Sequence, residues 1–230
     1  MGKTIGHFPF WWRWWSYIFP ISLDASSSEI NETLEVMLVR GNIQLCTEKA
    51  VYSYEHKYDN FKLIFDLLDF NKLSGKNVLL LGLGLGSVIQ LLDKYKNGLN
   101  YTAVELDEEV IFLAEKHILK HLDVDIQIVQ SDGQTFPQVT SEKYDLICMD
   151  IFIDDWIPNG FLTNDFCNSL KSILAERGTV IYNTPAFNKR SANSSRRFFK
   201  NKFKSIFQKA KLIDVHKNYM LISDSDLLHA

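Results

Sequence analysis

The sequence predicts an α/β fold with a mostly parallel seven-stranded sheet, helices on both of its faces and an antiparallel pair at one edge. Three observations carry that prediction. Strand-like and helix-like runs alternate from residue 77 to 183. An apolar run passes directly into three alternate glycines in "NVLLLGLGLGSVIQLLDKY". Two final strand-like runs are joined by too few residues for a crossover, which makes them a hairpin. At 230 residues and 46% hydrophobic content, the chain is long enough to bury one full core.

The N-terminus reads "HFPFWWRWWSYIFPISL", with Trp11, Trp12, Trp14 and Trp15 inside five positions. Arg13 interrupts the run and Pro9 and Pro20 bracket it, so it is too short to span a membrane. It also lacks the small-residue cleavage site of a signal peptide, and a cytoplasmic location is expected. Packing on the body of the protein or on a second subunit, as in a dimer, is the expected fate of the tryptophans, with contact to a membrane surface as the lesser alternative.

Residues 33 to 46, "TLEVMLVRGNIQLC", alternate apolar and polar side chains around Gly41 and Asn42, a hairpin signal. Residues 1–53 therefore form a small aromatic and β unit ahead of a main domain at 54–230. Between Tyr54 and Phe70, the spacing of Phe61, Ile64, Phe65, Leu67 and Leu68 predicts a helix. Strands follow at about 77–81, 101–106, 125–130, 144–150 and 178–183, with helices at about 87–96, 108–122 and 163–175. The closing hairpin falls at about 211–216 and 218–223.

"NKRSANSS" is expected to be a flexible loop. From there to Lys211 the chain holds nine Lys or Arg and no acid, while Phe199, Phe203, Ile206 and Ala210 share one helical face. The simplest reading is a core-packed helix with a solvated basic face, and a nucleic-acid partner is not expected. The formal charge of −3 likewise gives no overall attraction to a polyanion. Cys46, Cys148 and Cys167 lack metal-ligand spacing, so buried free thiols in a reducing compartment are expected. His117 and His121 lack the glutamate of a zinc helix and are expected at the surface.

Ligands of open α/β sheets bind beyond the carboxyl ends of the strands, so the residues after each strand are the candidates. After the first come Gly82, Leu83, Gly84, Leu85 and Gly86, a backbone bare enough for close approach. The second ends at Glu105 and Leu106, about twenty residues past the glycines, where an acid can accept both hydroxyls of a ribose. "VQSDGQTF" follows the third, with Asp132 placed to accept from an adenine amino group and Gly133 to admit the ring. The fourth ends at Asp150, with Asp154 and Asp155 in the next loop, and several acids around one pocket favour a cationic group.

From about residue 34 to 183 the chain resembles the spermidine synthase family, aminopropyltransferases built on the Rossmann-like class I methyltransferase fold. The match runs through "LVRGNIQLCTEKAVYSYE", "VLLLGLGLGS", "YTAVELDEEVI", "QSDGQTF", "YDLICMDIF" and "FLTNDFCNSLKSILAERGTVIYN". The resemblance implies that Gln44 reaches the ligand from the β unit, that Gly82, Gly84 and Gly86 form the binding loop, and that Glu105 holds the ribose and Asp132 the adenine. It gives Asp150 the place of the catalytic aspartate. Tyr54 and Glu55, with Tyr52, are expected to complete the pocket.

The departures set the expected reaction. The family loop carries an aspartate, which holds the terminal ammonium of decarboxylated S-adenosylmethionine, where this chain has Leu85. Its loss removes a barrier to the carboxylate of ordinary S-adenosylmethionine. Methyl transfer to a small acceptor, an amine among the candidates, is therefore the expectation. The alternatives are aminopropyl transfer from the decarboxylated cofactor and a non-catalytic nucleoside binder.

Overall fold

The computed structural model describes residues 10–48, 51–53 and 58–229. A short helix α1 (Phe10–Trp15) leads into a four-stranded antiparallel sheet of β1 (Ile21–Ser26), β2 (Leu34–Val39), β3 (Asn42–Cys46) and β4 (Val51–Ser53). Helix α2 (Asp59–Leu67) connects it to the main sheet. The strands there are β5 (Asn77–Leu81), β6 (Asn100–Glu105), β7 (Asp125–Gln130), β8 (Tyr144–Met149), β9 (Leu174–Pro185), β10 (Lys211–Val215) and β11 (Asn218–Ile222). Between them lie α3 (Ser87–Tyr95), α4 (Glu108–His117), α5 (Phe136–Val139), α6 (Asn164–Ser172), α7 (Lys189–Phe198) and α8 (Lys204–Ile206).

The main sheet runs β10-β11-β9-β8-β5-β6-β7, parallel from β9 to β7 and antiparallel where β11 joins β9 and β10. The predicted α/β class, strand count and terminal hairpin all hold. Strand β8 is buried at every position, as a central parallel strand covered on both faces must be. Two cores result. One joins Leu34, Val36 and Leu45 of the small sheet to Phe61, Ile64 and Phe65 of α2 and to Leu80 of β5. The other packs Phe166, Phe198 and Phe203 around Tyr182 on the opposite face.

Four local expectations need correction. The β2–β3 turn is Arg40–Gly41, both at positive φ (49° and 77°), and Asn42 already pairs with Val39. The Asn42 amide donates to the Arg40 carbonyl at 2.7 Å, a use of the side chain that keeps it in the strand. "NKRSANSS" is not a loop but the start of α7. Asn188 accepts from the Ser191 amide at 2.9 Å and the Ser191 hydroxyl accepts in return from the Asn188 amide, a reciprocal cap that nucleates the helix. The following face is broken by a π turn at Phe199–Phe203, and Ala210 lies beyond the helix. His117 is buried, its Nε2 2.9 Å from Asp24 Oδ2, because β1 lies against α4. Tyr54 and Glu55, and the start of the helix predicted from Tyr54, lie outside the described residues.

Trp12 packs against the first core, whereas Trp11, Trp14 and Trp15 are exposed, contrary to burial on the body of the chain. All three cysteines are free, with Cys148 and Cys167 buried. Among the described residues no helix is long and apolar enough to cross a membrane.

Candidate active site

Strand order reverses at β5, which pairs with β6 on one side and β8 on the other, so a crevice opens at their carboxyl ends. The last ladder bonds level the three chains there. Gly82 donates to the Val104 carbonyl at 3.0 Å, and Asp150 donates to the Leu81 carbonyl at 2.8 Å. A cavity of about 800 Å³ fills the crevice. Its acids are Glu105, Asp107, Asp132, Asp150, Asp154 and Asp155, with Lys217 as the cation among the described lining residues.

The glycine turn lines this cavity through Gly82, Leu83 and Gly84. Gly82 has φ +90, and a Cβ there would sit 2.5 Å from the Asp150 carbonyl oxygen. Its bareness therefore serves the packing of two strand ends as well as a ligand. Leu85 and Gly86 do not line the cavity, and Leu85 is fully buried in the first core. The expectation that Leu85 touches the cofactor is thus corrected. In a loop that coils toward α3, alternate side chains go inward, and an apolar one is retained there by burial.

Glu105 is held by the turn itself. Its Oε2 accepts from the Leu83 amide at 3.0 Å, and its Oε1 from the amides of Leu106 at 2.8 Å and Asp107 at 3.2 Å. Burial pushes its carboxyl up, and the amides of Asp107, Leu106, Leu83 and Gly84 hold it back. Leu106 lines the same wall and is half exposed. Asp132 and Gly133 line it too, with Asp132 Oδ1 turned by the Gln134 amide at 2.8 Å. Gly133 sits against Ile151, whose Cδ1 would be 2.5 Å from a Cβ at that position.

Asp150 stands at the tip of β8. Its Oδ1 accepts from the Tyr58 hydroxyl at 3.1 Å and the Asn183 amide at 2.9 Å, and Asn218 in turn donates to Asn183 at 2.8 Å. Burial raises its carboxyl to about 7, against the pull of those two donors. A carboxylate near neutrality is placed to take a proton at physiological pH. Asp154 and Asp155 form a two-residue turn closed by Ile153 and Trp156, and Asp154 has φ +53.

Sequence reasoning missed Tyr58, Asn183 and Asn218. Asn183 ends the run "VIYN" at the fifth strand end, where the rule applied to the first four strands would have found it. Gln44 is also corrected. It is buried in β3 and absent from the described lining, where the N-terminal unit contributes Ile30 and Asn31 instead. Those two reach the cavity because Asp107 Oδ2 accepts from Ser28 at 2.5 Å and Asn31 at 2.7 Å.

Comparison with known proteins gives this geometry a lineage. The spermine/spermidine synthase domain matches residues 59–223. The chain is 32% identical over 154 residues to a polyamine aminopropyltransferase of Saccharolobus solfataricus, covering 63% of this chain and 48% of that protein. A polyamine aminopropyltransferase of Buchnera aphidicola is 27% identical over 196 residues, covering 82% of this chain and 66% of its own length. The chain thus spans about half to two thirds of the length of these relatives. Among solved structures, spermidine synthase from Thermotoga maritima superposes with a TM-score of 0.67 at 15% identity, over 87% of this chain and 72% of that one. The matched region holds the glycine turn, Glu105, Asp132, Asp150 and Asn183, and the chain belongs to the spermine/spermidine synthase domain family.

Proposed function

We propose that the protein transfers an aminopropyl group from decarboxylated S-adenosylmethionine to an amine acceptor. The observation that carries this reading is Asp150, a carboxylate raised to about 7 at the edge of an acid-lined cavity. Both substrates of such a transfer are cationic, and six acids around one crevice suit them. The acceptor nitrogen attacks the carbon next to sulfur; the new C–N bond forms as the C–S bond breaks, and methylthioadenosine leaves. Asp150 takes the proton that the amine nitrogen loses. Alignment of the two partners supplies most of the acceleration.

Glu105 is assigned to the ribose hydroxyls, Asp132 to the adenine amino group, and Gly82, Leu83 and Gly84 to the wall along the nucleoside. Glu105 suits this because Oε2, which accepts from the Leu83 amide, retains accepting capacity, while the two amides on Oε1 fix the carboxylate in place. Asp154 is assigned to the acceptor side, where its turn presents it to the cavity, and Tyr54 and Glu55 remain assigned to the same side by resemblance. We further propose that 1–53 is an appendage of a 54–230 domain, a division supported by the separate sheets. The free thiols support a cytoplasmic setting.

The expectation of methyl transfer is overturned by the family match and by relatives named for aminopropyl transfer. It rested on the loss of the family's loop aspartate at Leu85, which by itself creates no attraction for a carboxylate. The test is incubation of the purified protein with decarboxylated S-adenosylmethionine and putrescine, spermidine or cadaverine, with chromatographic detection of methylthioadenosine. Acceptor-dependent release that Asp150→Asn abolishes supports the reading. Tight binding of the donor without turnover on any amine would refute it.

A further inference from the structure

The antiparallel hairpin at the sheet edge reaches toward the base on β8 from two strands away. Asn218 begins β11, whose register with β9 sets it opposite Pro185, while Met220 stands opposite Asn183. Asn218 and Asn183 are thus diagonal neighbours on one face of the sheet, a spacing that side chains can bridge. The end of the hairpin is pinned there, since the Ala186 amide donates to the Lys217 carbonyl at 2.7 Å. From this mount Asn218 Nδ2 donates to Asn183 Oδ1 at 2.8 Å, and Asn183 Nδ2 donates to Asp150 Oδ1 at 2.9 Å.

Chemistry dictates the direction of this relay. A carboxylate only accepts, so Asn183 turns its NH2 to Asp150 and its carbonyl away. Asn183 is fully buried, and a buried carbonyl without a donor is costly, so the Asn218 amide makes that orientation the stable one. The reverse orientation would set the Asn183 carbonyl against the carboxylate, oxygen against oxygen. Tyr58 and Asn183 both donate to Oδ1, and among the described residues nothing donates to Oδ2. Oδ2 is therefore the oxygen left for an incoming proton. We infer that Asn218 is a positioning residue for Asp150: acting through Asn183, it keeps the amide turned to Oδ1, favours the charged carboxylate and leaves Oδ2 open to the acceptor nitrogen. This role rests on the proposed aminopropyl transfer in taking Asp150 as the base. The other titratable or charged groups around Asp150 are Tyr58, Cys148 behind it on β8, Asp154, Asp155 and Lys217 in the cavity, and the acids that follow β6 and β7. None of them is altered by replacing Asn218.

The test introduces Asn218→Leu, which keeps the bulk and removes the donor, into the wild-type and the Asn183→Leu backgrounds. The Asp150 carboxyl is titrated by NMR, assigned by its loss in Asp150→Asn, beside the pH profile of kcat/KM. Asn218 is half-buried at the cavity wall, and a cooperative thermal melt shows that the fold is kept. In the wild-type background, titration and profile should both move up by about one pH unit, with kcat/KM about fivefold lower at pH 7 and nearly equal at pH 9. In the Asn183→Leu background, Asn218→Leu should move neither, because the relay is already cut. An unmoved titration in Asn218→Leu overturns the inference, as does an equal shift in both backgrounds. So does a rise in acceptor KM at every pH with the titration unchanged, since Asn218 would then serve binding alone. The NMR titration needs no turnover, so a wild type inactive on every amine would count against aminopropyl transfer while the relay is still decided.

Discussion

Replacing Asp150 by Asn should make the protein more stable at pH 8 and should do so by a clearly smaller margin at pH 5. The Asp150 carboxyl rises from 3.8 to about 7 in the fold because burial penalises its charged form. A carboxyl bound more tightly to its proton in the fold than in the unfolded chain lends full stability below about pH 4. That contribution is lost as pH rises, and above about 7 the buried charge is a net cost. A shift of about three units corresponds to about 4 kcal/mol. The group faces an open cavity, so water recovers part of this, leaving about 1 to 3 kcal/mol. The amide retains both bonds, since its oxygen can still accept from Tyr58 and Asn183. At this chain length the gain amounts to roughly 3 to 10 °C in melting temperature. Thermal melts of both proteins from pH 5 to pH 9 measure it. Equal differences at the two ends, or a less stable variant at pH 8, would refute the assignment of burial as the cause.

Loss of the base should lower kcat by about 10²- to 10⁴-fold in the same variant, while wild-type kcat/KM rises with pH through about 7 as Asp150 gives up its proton. Tyr58→Phe removes a donor that favours the charged carboxylate, so its pH profile should move to higher pH; an unmoved profile would detach Tyr58 from the base. Leu85→Asp restores the acid of the family loop but puts it in the core, and a loss of at least about 3 kcal/mol in denaturant unfolding is expected. A stable variant with higher activity would return that position to the cavity. Asp107→Ala removes the cap on the Glu109 amide and the anchor of Ser28 and Asn31, and should cost about 1 to 2 kcal/mol and raise the KM for the donor more than it lowers kcat.

The sequence was most legible where a local rule dictates the backbone. Strands at 77–81 and 125–130 begin and end where the apolar run of the first and the alternation of the second place them. Asp150 was found because it ends a fully apolar run, where a charge needs a reason. What stayed hidden depends on contacts remote in sequence. Tyr58 meets Asp150 across 92 residues and Asn31 meets Asp107 across 76, and no periodicity reports such pairs. The orientation of Leu85 was hidden for a different reason. A glycine-rich turn does not repeat a helix or strand period, so resemblance alone assigned its side chain, and packing decided otherwise.

Asp107 joins a helix start to the N-terminal arm through a single carboxylate, accepting from Glu109, Ser28 and Asn31. The wall that Ile30 and Asn31 give the cavity is thus a seam between distant parts of the chain, not a continuous surface. Seams open more readily than sheets, and this one lies beside the expected nucleoside end. On the proposed function, nucleoside release would proceed by brief parting of the seam while the strand ends around Asp150 stay fixed. In hydrogen exchange, the amides of Asn31 and Glu109 would exchange together, and a bound nucleoside would slow both.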